Sequence, residues 1–80
     1  MEGLKDDLSD IGRNLKKLRL KYGYTSYETF AVTHGFSRMQ YWRMENGKTN
    51  VTVKSLITIL AVYNIRLTDF FCDDFLKKED

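Results

Sequence analysis

The sequence predicts an all-α protein made of five short helices. Apolar residues recur at steps of three and four along most of the chain, which is the spacing of one face of an α-helix. Glycines and small polar residues separate these stretches, and the sequence contains no proline. Its 80 residues correspond to one domain, which we take as residues 1–80 with an acidic N-terminal arm, 1–10, and a C-terminal tail, 72–80.

An apolar stripe from Leu4 to Tyr22 predicts the first helix, which ends at Gly23. The polar residues between the apolar positions indicate an amphipathic helix with one buried face. The sequence leaves the start of this helix open. Either Ser9 or Asp10 caps it, or the first residues form a loose arm.

The second and third helices are each predicted from a cap. In the sequence TSYE, Thr25 is the expected N-cap and Glu28 the residue that reaches back to it, as in a capping box. This helix stops near Gly35. Ser37 is the expected cap of the third helix, residues 38–46, which a glycine follows. Two helices joined by a short turn that contains a glycine have the outline of a helix-turn-helix.

Two more helices follow a loop. Residues 53–63 are expected to form a largely buried helix, since eleven residues without a turn signal favour a helix over a strand. Asn64 can adopt the left-handed conformation that ends this helix. Thr68 is the expected cap of the last helix, which carries four large apolar residues: Phe70, Phe71, Phe75 and Leu76.

Charge is distributed unevenly, although the net charge is only +2. Residues 12–54 contain nine basic and two acidic residues, whereas the two ends together contain four basic and nine acidic residues. A basic middle between acidic ends indicates a face that binds a polyanion. Charge alone leaves an equally good alternative, in which these residues are the solvated surface of helices.

The remaining composition excludes several classes of protein. An apolar fraction of 42% with 30% charged residues is typical of a folded globular protein. The sequence contains one cysteine, Cys72, and one histidine, His34, so we expect neither an internal disulfide nor a metal site. We expect Cys72 to be half-buried and His34 to pack at a helix end. The sequence shows no signal peptide or membrane span, which predicts a cytoplasmic protein. We expect no enzyme activity and no cofactor, because no acid, base and nucleophile are positioned together.

A helical wheel divides the third helix into two faces. The face expected to lie against the core carries Ser37, Tyr41, Met44 and Glu45. The opposite face, with Arg38 and Gln40 on its flanks, carries Met39, Trp42, Arg43 and Asn46. Large apolar residues thus occur on both faces, whereas the arginines occur only on the outer face and its flank.

The stretch from residue 11 to residue 71 resembles the bacterial and phage Cro/repressor-type (Xre) helix-turn-helix domain. Four motifs carry the resemblance in order: IGxxLKxLR in the first helix, GYT before the second, RMENGKTN at the end of the third, and IRLTDFF in the last. The resemblance implies a compact five-helix, lambda-repressor-like fold with the helix-turn-helix at helices 2 and 3. It also implies that the third helix lies in the major groove of double-stranded DNA.

The resemblance gives roles to residues at matching positions. It implies base contacts for five residues: Arg38, Met39, Gln40, Trp42 and Arg43. It implies phosphate contacts for six others: Thr25, Ser26, Tyr27, Ser37, Asn46 and Lys48. The chain departs from the family at Ser26, where glutamine is usual, and at Val51, where proline is usual. Trp42 has an alternative role, in which it packs against a partner subunit or a neighbouring helix.

Arg19 and Glu45 match a buried ion pair of the family that ties the first helix to the third.

Two-fold operators imply a homodimer, with the last helix as the expected interface through Phe70, Phe71, Phe75 and Leu76. Leu4 and Leu8 are a second candidate surface. The expected function is sequence-specific DNA binding as a repressor-like transcriptional regulator. An alternative, favoured by the two departures and the low net charge, is an antitoxin-like protein–protein interaction module that does not bind DNA.

Overall fold

The structure, a computed structural model, describes the backbone of residues 2–72 and the side chains of residues 7–72. This part of the chain folds into helices that are joined by turns and short loops. Within this range there are five helices and no strand, which confirms the all-α prediction. In chain order they are α1 (Glu2–Lys21), α2 (Tyr27–Thr33), α3 (Arg38–Glu45), α4 (Val53–Val62) and α5 (Leu67–Phe70). None of these described helices is long and apolar enough to span a membrane.

The helices belong to two compact units, Met1–Asn50 and Val51–Asp80. In the first unit, α3 packs against both α1 and α2. All three helices supply its buried apolar side chains: Leu15, Leu18, Phe30, Ala31, Tyr41 and Met44. In the second unit, α5 packs against α4, and the buried apolar side chains are Leu56, Ile59, Leu60, Tyr63 and Phe70. The framework that positions α3 therefore lies within the first unit.

Serine caps set the starts of α2 and α3. Ser37 caps α3 as predicted, because its backbone is extended and its Oγ accepts a hydrogen bond from the N–H of the third helical residue at 3.3 Å. In α2 the cap is Ser26, whose Oγ accepts the N–H of Thr29 at 3.2 Å. The prediction of Thr25 as the cap is wrong by one residue. Glu28 consequently occupies the second helical position, whereas a capping box needs the third.

Four of the described helices end in the same hydrogen-bonded motif. After α3, the Lys48 N–H donates to the Arg43 carbonyl at 2.9 Å and the Gly47 N–H to the Met44 carbonyl at 3.4 Å, as in a Schellman motif. Gly47 has a positive φ of 66°, which glycine adopts without a steric penalty. Equivalent bonds close α1, α2 and α4, with positive φ at Gly23, Gly35 and Asn64. These helix ends confirm the predicted stops.

The start of α1 is settled by a helix that begins at Glu2 and continues through Ser9 and Asp10. Neither Ser9 nor Asp10 is therefore a cap, and residues 2–10 of the acidic arm are helical. α1 is therefore 20 residues long. Leu8, on the second candidate interface, is half-buried, and the side chain of Leu4 lies outside the described residues.

Three expectations for the second unit are wrong. α4 is not largely buried: Val53 and Ile57 are 62% and 49% exposed, because a ten-residue helix packed on one side buries only one face. α5 begins before Thr68, and Arg66 occupies its cap position without a side-chain hydrogen bond, so Thr68 lies inside the helix. Cys72, expected to be half-buried, is exposed, since it follows the end of α5.

Candidate nucleic-acid interface

α3 separates its side chains into a buried and an exposed face, as the helical wheel predicts. Tyr41, Met44 and Glu45 are 1%, 8% and 9% exposed. On the opposite side, Met39 and Trp42 are 59% and 38% exposed. The first set therefore attaches α3 to the first unit, and the second set is accessible to a ligand.

The exposed face of α3 is both cationic and apolar. Arg38, Gln40 and Arg43 are exposed together with the two apolar side chains. Neither arginine forms an ion pair with a side chain that the structure describes. All five residues predicted to contact bases are thus at the surface of one helix, with two guanidinium groups available to an external acceptor.

Four of the residues predicted to contact phosphates lie at the starts of α2 and α3. Ser26 and Ser37 are the caps, and their Oγ atoms accept backbone N–H groups. Because a hydroxyl both accepts and donates, each serine keeps a proton to donate to an anion. Thr25 is exposed and Tyr27 is half-buried. Ser37, which the wheel placed on the core side, is exposed because it precedes the first turn of α3.

The other two residues predicted to contact phosphates follow α3. Asn46 and Lys48 are both exposed. The Asn46 side chain donates from Nδ2 to the Trp42 carbonyl at 2.9 Å, so one of its two amide protons is already used at the end of the helix. The backbone N–H of Lys48 takes part in the Schellman motif, which fixes this residue close to the last turn of α3.

Arg19 and Glu45 form a buried ion pair between α1 and the last residue of α3. Arg19 Nε donates to Glu45 Oε2 at 2.7 Å, and Nη2 donates to Oε1 at 3.1 Å. A third hydrogen bond joins Arg19 Nη1 to the Tyr24 carbonyl oxygen at 2.8 Å. Both charged side chains are 5% exposed. The network thus joins α1, the connection between α1 and α2, and the C-terminal end of α3.

The ion pair also stabilises the charged form of Arg19. Its hydrogen bond to Glu45 raises the pKa of the guanidinium above the ordinary value, and burial opposes this to a smaller extent. A raised folded-state pKa contributes stability below the unfolded pKa, and this stability is lost only as the pH rises through the folded value. For an arginine that value is far above neutral pH, so Arg19 stays charged under all ordinary conditions of DNA binding.

A direct backbone contact between α1 and α3 does not follow from the helical pattern. Gly12 is buried in α1, and a Cβ placed there would lie 2.4 Å from the Glu45 carbonyl oxygen and 2.6 Å from that of Met44. At Gly47, a Cβ would lie 2.8 Å from Ser9 Oγ. α1 therefore lies directly on the last turn of α3. The one signal in the sequence is the glycine itself, because an isolated glycine inside a helical pattern often has a packing reason.

An aromatic cluster holds the turn between α2 and α3. His34 Nε2 lies 3.1 Å from the hydroxyl oxygen of Tyr24, and the His34 ring centroid is 4.9 Å from that of Phe30. Phe36 lies 5.9 Å from Phe30, centroid to centroid. The predicted packing of His34 at a helix end is confirmed. These rings fix the chain just before α3 begins.

The four residues predicted to form the dimer interface differ in burial. Phe70 is 0% exposed, so its side chain belongs to the core of the second unit and the expectation of an interface role is wrong for this residue. Phe71 is 57% exposed and packs edge-on against Phe70 with a centroid distance of 5.2 Å. Phe75 and Leu76 lie outside the described residues.

Two helices joined by a glycine turn, the second with a cationic outer face, define a helix-turn-helix DNA-binding protein. The model of a helix-turn-helix family matches residues 15–70. The control protein C.MunI of Mycoplasma sp is 40% identical over 69 residues, which cover 86% of this chain and 90% of C.MunI. No solved structure gives a significant match. The chain belongs to the Cro/C1-type (Xre) helix-turn-helix family, and it is a DNA-binding transcriptional regulator.

Proposed function

We propose that this regulator binds a specific sequence of double-stranded DNA as a homodimer, with α3 in the major groove, and acts as a repressor. The observation that carries the proposal is the outer face of α3, which presents Arg38, Gln40 and Arg43 together at the surface. The major groove admits an α-helix, and each base pair shows a distinct pattern of donors and acceptors there. An arginine that contacts O6 and N7 of guanine contributes about 1–3 kcal/mol of discrimination.

Phosphate contacts on two sides of α3 are proposed to set its register. The hydroxyls of Thr25, Ser26, Tyr27 and Ser37 lie at the starts of α2 and α3, and Asn46 and Lys48 lie just beyond the end of α3. Such contacts position a protein on the duplex without reading its sequence. These phosphate contacts hold α3 in the orientation in which its five outer residues face the base edges.

A second copy of the chain is proposed because one recognition helix covers only a few base pairs. Helix-turn-helix dimers contact two half-sites about 34 Å apart, on the same face of the duplex. The second unit has exposed apolar residues suited to a subunit contact: Phe71, Val53 and Ile57 are 57%, 62% and 49% exposed. A groove of about 400 Å³ also runs from Ile57 to Leu67. We therefore keep Phe71 in the proposed interface, with Phe75 and Leu76 beyond the described residues, and add the exposed residues of α4.

The similarity to a control protein supports the proposed regulatory role. C.MunI is called a control protein, and its alignment with this chain covers nearly all of both proteins. A repressor of this kind occupies its operator through two-fold contacts and needs no reaction at the DNA. The proposal therefore requires no cofactor, metal or catalytic group.

In vitro selection of bound duplexes from a random library tests the proposal. We expect enrichment of an inverted repeat with half-sites centred about one helical turn apart, and binding that weakens steeply as salt increases. Enrichment of a single, unrepeated site would support DNA reading but contradict the homodimer. If no duplex is enriched even at low salt, the alternative of a protein–protein interaction module is favoured.

A further inference from the structure

The outer face of α3 exposes more apolar surface than hydrogen bonding to DNA requires. Met39 and Trp42 are large side chains that remain 59% and 38% exposed, although contact with water is unfavourable for such surfaces. The core already receives Tyr41 and Met44 from the other face of the same helix. Packing within the described chain therefore does not account for the two outward apolar residues.

The positions of these residues along α3 form a defined pattern. Met39 and Trp42 are three residues apart and are neighbours on the helix surface. Each also has an arginine four positions away, Arg38 beside Trp42 and Arg43 beside Met39. An apolar patch is thus flanked by a guanidinium group on either side. From residue 38 to residue 43 the helix rises about 7.5 Å, which is close to two base-pair steps of about 3.4 Å.

The major groove offers a matching arrangement of chemical groups. In unmodified DNA the apolar group that base edges present there is the C5-methyl of thymine. 5-Methylcytosine presents a methyl group at the same ring position. Guanine presents the O6 and N7 acceptors that suit an arginine. Arginines on both sides of an apolar patch therefore match guanines next to methylated pyrimidine positions.

We propose that Met39 and Trp42 bind pyrimidine C5-methyl groups that lie within one base-pair step of the guanines contacted by Arg38 and Arg43. This inference rests on the proposed function and specifies the ligand chemistry of the same surface. It assigns Trp42 to DNA recognition and not to a subunit contact. Removing one buried methyl group from the DNA should weaken binding about fourfold, the equivalent of one methylene transferred to water.

The test replaces each thymine of the selected duplex in turn by deoxyuridine, which removes the methyl group and keeps the base pairing. Fluorescence anisotropy with the full chain measures Kd for each duplex. We expect an approximately fourfold loss at one or more thymines per half-site, each next to a guanine. At each sensitive thymine, either Met39→Ala or Trp42→Ala should remove the difference in Kd between the thymine and deoxyuridine duplexes. When the sensitive thymine–adenine pair is replaced by cytosine–guanine, the protein should bind the duplex with 5-methylcytosine more tightly than the duplex with cytosine.

Leu20→Ala is the matched control, because Leu20 is an apolar residue of the first unit that is 47% exposed but lies on α1. This variant should keep the fourfold difference. Tight sequence-specific binding by the unchanged chain, with no loss at any deoxyuridine, overturns the inference and leaves the proposed function intact. Sensitivity that persists in both the Met39 and Trp42 variants also overturns it. Absence of binding to every duplex overturns both proposals together.

Discussion

At the scale of single residues, Glu45 lies in α3, the proposed recognition helix, but its buried side chain is not available to DNA. Its carboxylate accepts two hydrogen bonds from Arg19, which also donates to the Tyr24 carbonyl. A buried ion pair often adds little stability over an apolar pair, but removal of one partner leaves an uncompensated charge in the interior. The pair therefore holds the end of α3 in place, and breaking it affects the whole first unit.

Glu45→Ala is expected to lower the free energy of unfolding by about 3–5 kcal/mol, because the Arg19 guanidinium loses its charge partner while it stays buried. Urea unfolding followed by circular dichroism measures the change. Asp10→Ala is the control, since Asp10 pairs with Arg13 at the exposed surface of α1, where an ion pair contributes less than about 1 kcal/mol. A Glu45→Ala protein as stable as the unchanged chain would refute the structural role of the pair.

Some residue assignments follow from the sequence and others do not. The faces of α3 follow from its periodicity, because each turn of a regular helix places residues at known angles. Arg19 and Glu45 are 26 positions apart, so no local pattern connects them and only the family resemblance indicates the pair. Phe70 and Phe71 are adjacent and identical, yet one is 0% and the other 57% exposed. Their burial depends on how α5 packs, which periodicity in a four-residue helix does not define.

At the scale of helices, α1 supports the C-terminal end of α3. The backbone of α1 at Gly12 approaches the carbonyl oxygens of Met44 and Glu45 without an intervening side chain. Two turns later on the same helix, Arg19 binds the Glu45 carboxylate. α1 thus contacts the last residue of α3 through both backbone and side chain, which fixes the direction of α3 within the first unit.

Gly12→Ala tests this close contact through the sign of its effect. At an exposed position inside a helix, replacing glycine by alanine raises the free energy of unfolding by about 0.5–1 kcal/mol. Here the added Cβ would lie 2.4 Å from the Glu45 carbonyl oxygen, so we expect destabilisation of about 1–3 kcal/mol and weaker DNA binding. Thermal unfolding provides the measurement, with Lys16→Ala as the control at an exposed position of α1. A stabilised Gly12→Ala protein would mean that the two helices are not in contact at this point.

Helix ends are easier to predict than helix starts in this chain. Each of the four Schellman ends needs a residue with positive φ, and glycine or asparagine supplies it. The start of α2 is ambiguous because Thr25 and Ser26 are both good caps, and only the backbone conformation selects Ser26. α5 starts after Arg66 without any side-chain cap, so the sequence carries no signal for that position.

At the scale of the whole molecule, the two compact units carry different proposed tasks. The residues proposed to contact DNA all lie in Met1–Asn50, and the exposed apolar residues proposed for the subunit contact lie in Val51–Asp80. The basic residues are also concentrated between 12 and 54, whereas the chain ends are acidic. If the proposed division is correct, substitutions in the second unit change the oligomeric state and leave α3 unchanged.

Phe71→Glu is expected to convert the proposed dimer into a monomer, because it would place a carboxylate in the proposed apolar subunit contact. Sedimentation equilibrium measures the molecular mass in solution. Val32→Glu is the control, since Val32 is 64% exposed but belongs to α2 in the first unit, and this variant should remain dimeric. A Phe71→Glu chain that dimerises as tightly as the unchanged chain would exclude this surface as the interface.

The placement of α3 in the major groove is tested most directly by the base preferences of two variants. Binding of Arg43→Ala and Lys48→Ala is measured on every single-base variant of the selected duplex. Arg43→Ala should lose base preference at one position per half-site, whereas Lys48→Ala should weaken all duplexes about equally and reduce the salt slope by about one per subunit. An Arg43→Ala protein with the same base preferences as the unchanged chain would contradict the placement of α3 against the bases.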